Sequence, residues 1–161
     1  MYKRVLFSLV GAIAALSIGA AGAYFTAQVQ VADSIIKAGS VAVSTVPTTA
    51  PLSVSSLAPG ETAVRPLTVV NDGSLPSDVV VSAKKTAGVT EFFNALTVRV
   101  SANDTELYNG SLSALKTAAL RIDPGARGDL HFEIGLPAEA SNSLSNGYAK
   151  VTLYVDAEQA H

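Results

Sequence analysis

The side chains of this chain that could carry chemistry are few and scattered. Its 161 residues include two histidines, no cysteine and no tryptophan. His131 stands between Leu130 and Phe132, and His161 is the last residue. A catalytic zinc takes about three protein ligands from His, Cys, Asp or Glu, and no H-E-x-x-H spacing occurs. The alternation with Leu130 and Phe132 puts His131 on the solvent side of a strand, as a surface imidazole. No G-x-S-x-G turn and no Gly-rich phosphate loop with Lys is present. Asp123 and Asp129 form a conceivable carboxylate pair, but both fall at turn-like ends, where Asp serves backbone hydrogen bonding. Tyr24, Tyr108, Tyr148 and Tyr154 are dispersed, with no stacking cluster for bases or sugars. Without cysteine there are no disulfides, thiolate metal sites or Cys nucleophiles. The expectation is no catalytic residue, no metal and no cofactor.

The strongest chemical signal is one that another enzyme reads. Lys3 and Arg4 precede the apolar stretch VLFSLVGAIAALSIGAAGA, and small residues stand at Ala21 and Ala23. That order is a secretory signal peptide with an Ala-x-Ala cleavage site, which makes signal peptidase a partner during export and Tyr24 the first mature residue. The competing reading is an uncleaved anchor, since the stretch approaches the roughly 20 residues that span a bilayer. Either way the domain is exported, to the extracellular matrix or the cell surface. Lys3 and Arg4 are the only charges before Asp33; without residues 1–23 the chain keeps 9 basic against 13 acidic side chains, a net −4. A mildly acidic domain with scattered Lys and Arg is a poor nucleic-acid binder, and none is expected as a partner.

The elements that follow are strands. In residues 25–31 the apolar Phe25, Ala27, Val29 and Val31 hold one parity and Thr26, Gln28 and Gln30 the other, the period of a half-buried strand at the mature terminus. After the Lys37-Ala38-Gly39 turn comes a short alternating run over residues 40–44, and residues 46–51, with two Pro, read as a loop. Ala58-Pro59-Gly60-Glu61 leads a strand over 62–70, in which Pro66 marks an edge or a bulge. Asn71-Asp72-Gly73-Ser74 turns the chain into 78–83, expected as an antiparallel neighbour of 62–70. Residues 91–95 and 110–117 suggest one or two very short helices, and residues 96–101, 106–108, 129–136 and 148–155 further strands, with turns at Asn103-Asp104, Asp123-Pro124-Gly125 and Asn146-Gly147. The two strands led by Pro-Gly turns echo each other without making a repeat. Seven to nine short strands with regular turn signals argue for an all-β, two-sheet antiparallel sandwich. The organisation expected is a signal peptide over 1–23, an N-terminal strand segment over 24–36 and a β-sandwich domain over 37–161.

These residues also carry a resemblance. The N-terminal signal running into Ala23-Tyr24-Phe25-Thr26, then Ile36-Lys37-Ala38-Gly39-Ser40-Val41-Ala42-Val43, resembles the SipW-type signal peptide and first strands of the TasA/camelysin family of exported bacterial proteins. Leu57-Ala58-Pro59-Gly60-Glu61 through Val69-Val70-Asn71-Asp72-Gly73-Ser74-Leu75 is similar to that family's Pro-Gly-led strand, and Asn146-Gly147-Tyr148-Ala149 to Ala157-Glu158-Gln159 to its ending. The resemblance implies an extracellular sandwich of jelly-roll type, whose best-known members polymerise into biofilm-matrix fibres; archaeal bundling pili have similar subunits. In such fibres the N-terminal strand of one subunit completes a sheet of the next, so the implied partners are copies of the same chain and possible other matrix components. Donor residues would be Phe25, Ala27, Val29 and Val31. Camelysin's metalloendopeptidase label supplies a rival enzyme reading, and a membrane-tethered monomeric surface-binding domain is a third. Burying Phe25, Val29 and Val31 on a neighbour would contribute on the order of 5–9 kcal/mol, at roughly 1.5–3 kcal/mol each. That only matches the roughly 4–15 kcal/mol entropic cost of association, so ladder hydrogen bonds and a subunit contact have to supply the surplus.

Overall fold

The computed structural model describes residues 26–30, 41–46 and 52–161; the signal segment 1–23, Tyr24, Phe25 and Val31 lie outside them. Among the described residues ten strands occur in chain order: β1 (Thr26–Gln30), β2 (Val43–Val46), β3 (Leu52–Ser55), β4 (Thr62–Asn71), β5 (Ser77–Gly88), β6 (Thr97–Ala102), β7 (Thr105–Ser111), β8 (Leu120–Ile122), β9 (Arg127–Gly135) and β10 (Tyr148–Gln159). One short helix, α1 (Thr90–Ala95), lies between β5 and β6, and single 3-10 turns cover Leu112–Ala114 and Asn142–Leu144. The first sheet runs β1-β10-β5-β8, with β3 also on β10, and the second runs β2-β4-β9-β6-β7. All pairings are antiparallel. The fold is the all-β two-sheet sandwich expected from the alternation.

The periodicity decides which faces meet. In β9, Gly128, Leu130, Phe132 and Ile134 are buried while Arg127, Asp129, His131 and Glu133 are exposed, the period of two that one buried sheet face requires. From the second sheet Leu67, Val69, Val98, Val100, Leu130, Phe132 and Ile134 enter the core, and from the first Val79, Val81, Val151, Val155 and Ala157. The helix α1 closes one end with Phe92 and Phe93. Gly147 is needed there, because a Cβ would sit 2.5 Å from the Phe92 ring. Gly88, at φ +98°, ends β5 where a Cβ would meet the Tyr148 carbonyl at 2.2 Å.

Several expectations need correction. Residues 78–83 do not pair with 62–70: β4 and β5 belong to different sheets, and the Asn-Asp-Gly-Ser segment crosses the sandwich instead of closing a hairpin. The neighbour of β4 is β9, so the two Pro-Gly-led strands are hydrogen-bonded partners. The first strand of the sandwich domain is shifted from 40–44 to Val43–Val46, where it pairs with Thr68 to Asn71. β5 runs on to Gly88 through a bulge that leaves Thr86 unmatched, between Lys85 opposite Val151 and Ala87 opposite Lys150. That bulge breaks the parity which made the strand look finished at Ala83. Pro66 shows no bulge, since the β4–β9 register is continuous through it. Among the described residues no strand pairs with it on the side away from β9, because β2 reaches only to Thr68.

The crossing is held by Asn71, which is fully buried. Its Nδ2 donates to the Leu75 and Ile122 carbonyls at 2.8 and 2.9 Å, and its Oδ1 accepts from the Gly73 N–H at 2.9 Å. Its backbone joins the other turn: Asn71 N–H donates to Ala126 O and Gly125 N–H to Asn71 O, while the Asp72 and Gly73 N–H groups reach Ala42 O. The Asn71 side chain thus ties the β4–β5 crossing to the end of β8, while backbone bonds of residues 71–73 reach the β8–β9 turn and the approach to β2. Asn71→Ala removes three hydrogen bonds from the interior, each worth about 0.5–1.5 kcal/mol. A loss of about 2–4 kcal/mol in denaturant unfolding is expected, against less than about 0.5 kcal/mol for the exposed neighbour change Asp72→Ala.

Candidate functional site

Two places in the fold have the character of a site. The first is the side of β10 away from β5. β5 pairs with one side of β10 along its length; the other side is covered by two short strands end to end. β3 lies opposite Tyr148 to Val151, and β1 opposite Tyr154 to Glu158. The Ala160 N–H donates to Pro76 O, which with the register makes the even-numbered residues of β10 the ones bonded to β5 there. The backbone groups of Val155 and Ala157 therefore point to β1, whose Val29 and Ala27 stand opposite them. Both Val155 and Ala157 are fully buried. Two of the predicted donor residues, Ala27 and Val29, thus stand in register opposite buried residues of their own chain. Phe25 and Val31 lie outside the described residues, as do Ala21, Ala23 and Tyr24.

The second place is the outer face of the second sheet, where a groove of about 300 Å³ is lined by Val64, Arg99, Ser101, Asp104, His131 and Glu133. The register explains the grouping: Glu133 is opposite both Val64 and Arg99, and His131 opposite both Pro66 and Ser101. Asp104 comes from the β6–β7 turn, where Asn103 and Asp104 have φ of 48° and 63°, the left-handed pair of a tight hairpin turn. Arg99 Nε donates to Glu106 Oε2 at 2.8 Å, and both side chains are about half exposed; such a pair is worth about 0.2–1 kcal/mol. His131 is exposed, as its alternation predicts. Among the described residues, which include both histidines, no group of three or more His, Cys, Asp or Glu could hold a metal ion. The groove can exchange hydrogen bonds with a surface ligand, but its residues do not fit a catalytic zinc.

The imagined carboxylate pair is not assembled. Asp123, just past the end of β8, lies 4.0 Å from Arg121 with both side chains exposed, and Asp129 accepts from Thr68 Oγ1 at 2.6 Å. Asp129 is not at a turn end but inside β9, where it cross-links to β4. Of the tyrosines, Tyr108 donates to the Ser111 carbonyl, Tyr148 is exposed beside the end of β5, and Tyr154 is half-buried on β10. β3, which shares the β10 edge with β1, went unread in the sequence, because only Leu52 and Val54 alternate in a segment bordered by Pro and Ser.

Comparison with known proteins gives one family. The sequence model of the family described as camelysin metallo-endopeptidase matches residues 1–95, more than half of the chain. Among curated proteins none matches. Among solved structures the chain is similar to the crystal structure of FlhE, with 14% identity, 86% of this chain and 98% of that one covered and a TM-score of 0.38. A likeness of that size leaves the fold to be argued from the chain itself.

The groove residues carry a direct expectation. His131→Ala leaves thermal stability within about 0.5 kcal/mol, as for an exposed residue without a buried partner. A chelator leaves the melting temperature of the unaltered protein where it is, since a metal bound only to the folded state would raise it. A chelator-induced fall in melting temperature that His131→Ala reproduces would establish a metal at this groove.

Proposed function

The chain belongs to the camelysin metallo-endopeptidase family, and from that premise we propose that it is a secreted structural subunit that polymerises by giving its N-terminal strand to the next copy. The observation that carries this reading is the place of β1: five residues at the outer end of the first sheet, laid along one side of β10. Signal cleavage after Ala23 would make that strand the mature terminus, two residues from its new end, able to leave without threading any loop. On a second copy it would meet the same backbone groups of Val155 and Ala157 in the same register. Exchange of an identical element costs little, since its hydrogen bonds are the same in the closed and the exchanged form. Head-to-tail donation is heterologous, so it builds an open filament unless the rotation closes a ring. Export places such a filament outside the cell, at the surface or in a matrix with other components.

The family's description favours a second reading, a metallo-endopeptidase. That reading needs a ligand set which the groove around His131 does not supply, and outside the described residues Asp33 is the only residue of a ligating type. The structural reading is supported by a feature of the fold, a short N-terminal strand at the end of its sheet.

Deleting residues 24–31, or Val29→Asp opposite buried Val155, is expected to give an exported, folded protein that does not form fibres. Gln28→Ser, on the opposite parity, still forms them. Negative-stain images and sedimentation of the three variants decide this. Unchanged fibres from the deletion, or an unaltered protein that stays monomeric under all conditions, would overturn donor-strand assembly.

A further inference from the structure

Three other sheet edges of the sandwich are interrupted by hydrogen bonds that the ladder pattern does not require. We infer that the chain plugs the edges of β4, β5 and β7 against strand addition, and that this directs an incoming strand of a second copy to β10. The inference rests on the assembly reading above and adds to it the reason why growth keeps to one edge.

On β4 the Leu136 N–H donates to Glu61 O at 3.1 Å. With the continuous register this makes odd-numbered residues of β4 bond to β9, so the backbone groups of even-numbered ones point the other way. β2 meets them only from Thr68 onward, and among the described residues no strand faces Val64 or Pro66 on that side. An added strand would need the Pro66 N–H, which proline lacks, and the Val64 carbonyl, which already accepts Arg65 Nη1 at 3.0 Å. Two consecutive rungs of the ladder are thus spoiled by adjacent residues.

On β5 the same alternation turns Val81 and Gly88 toward the side away from β10. Thr117 takes both groups of Val81, its Oγ1 accepting the N–H at 2.9 Å and its own N–H donating to the carbonyl at 3.0 Å. Lys85 Nζ donates to Gly88 O at 3.0 Å. On β7 the outward carbonyl of Ser111 accepts Tyr108 Oη at 2.9 Å, and that of Leu107 accepts the Ala118 N–H at 2.8 Å. Proline and charged side chains on an edge are the means by which sheets avoid pairing with other chains. β10 differs, because its second side is covered by strands, and a covering strand can be exchanged for an identical one whereas a side-chain plug cannot.

The chain has no cysteine, so an engineered thiol reports one position. Val64 is 56% exposed, and in two β4 edges paired about a two-fold at this residue the facing Cβ atoms would be roughly 4.5–5.5 Å apart, too wide for a direct disulfide but within the span of a short bis-maleimide. The full chain carrying Val64→Cys is compared with the same chain also carrying Arg65→Ala and Pro66→Thr, each treated with a short bis-maleimide. Opening the edge is expected to raise the Val64→Cys cross-linked dimer roughly tenfold, the factor that about 1.4 kcal/mol corresponds to. Equal cross-linking with and without the plug, in proteins of equal melting temperature, would overturn the inference. Should the opened chain not fold, Lys85→Ala with the reporter Lys84→Cys poses the same question on β5, with the same two outcomes. The link reports the opened edge whether or not fibres form. Failure of donor-strand assembly is read separately from the deletion of residues 24–31.

Discussion

Every backbone N–H and C=O taken out of water has to find a partner, and in this sandwich that constraint bears hardest on β10. The strand is twelve residues long and lies inside the first sheet, so it presents two rows of such groups. β5 satisfies one row. The other is satisfied piecewise by β3 and β1, both contributed by the N-terminal part of the chain. Leaving a buried backbone group unpaired costs about 1–3 kcal/mol, so the stretch from Tyr154 to Glu158 demands a strand. The geometry does not demand that the strand come from the same copy. The assembly reading depends on that indifference.

The rest of the domain is held together by bonds and packing of its own. Asn71 links the crossing between the sheets to the β8–β9 turn. The alternation of β4, β6 and β9 packs Leu67, Val98, Val100, Leu130 and Phe132 into one core with the first sheet. β1 lies at the end of its sheet, and stability within one domain is commonly uneven, with peripheral elements opening at lower cost than core strands. The outer face of the second sheet, with Arg99, Glu106, His131 and Glu133, is a solvated surface whose ion pair contributes little.

Much of this was legible in the sequence, and the failures have physical causes. Strict alternation gave β9 and most of β10, Asn103-Asp104 gave a hairpin turn, and residues 91–95 gave the helix, because each depends on local sterics or on one buried face. The sheet to which β5 belongs was not legible, since Asn71-Asp72-Gly73-Ser74 serves a hairpin as well as a crossing, and the choice is made by the distant Ile122 carbonyl. β8 is three residues long and depends on its pairing with Ser77 to Val79. The parity of residues 25–31 marked a strand but could not name its partner, because the register of Val29 against Val155 joins the two ends of the chain. The plugs on β4, β5 and β7 were hidden for the same reason, Pro66 excepted.

The central claim, that a second copy fills the β1 position on β10, is tested most directly by cross-linking two differently tagged populations. Gln28 and Asp156 form a pair whose backbone groups point away from each other, and such pairs bring their Cα atoms to about 4.5 Å, within disulfide reach. One population carries Gln28→Cys and the other Asp156→Cys; they are mixed, allowed to assemble and oxidised. The account predicts a disulfide joining one tag to the other in the fibre fraction. If the doubly substituted single chain closes its own Gln28→Cys to Asp156→Cys bond while the mixture yields no intermolecular bond, the strand stays at home and the account is contradicted.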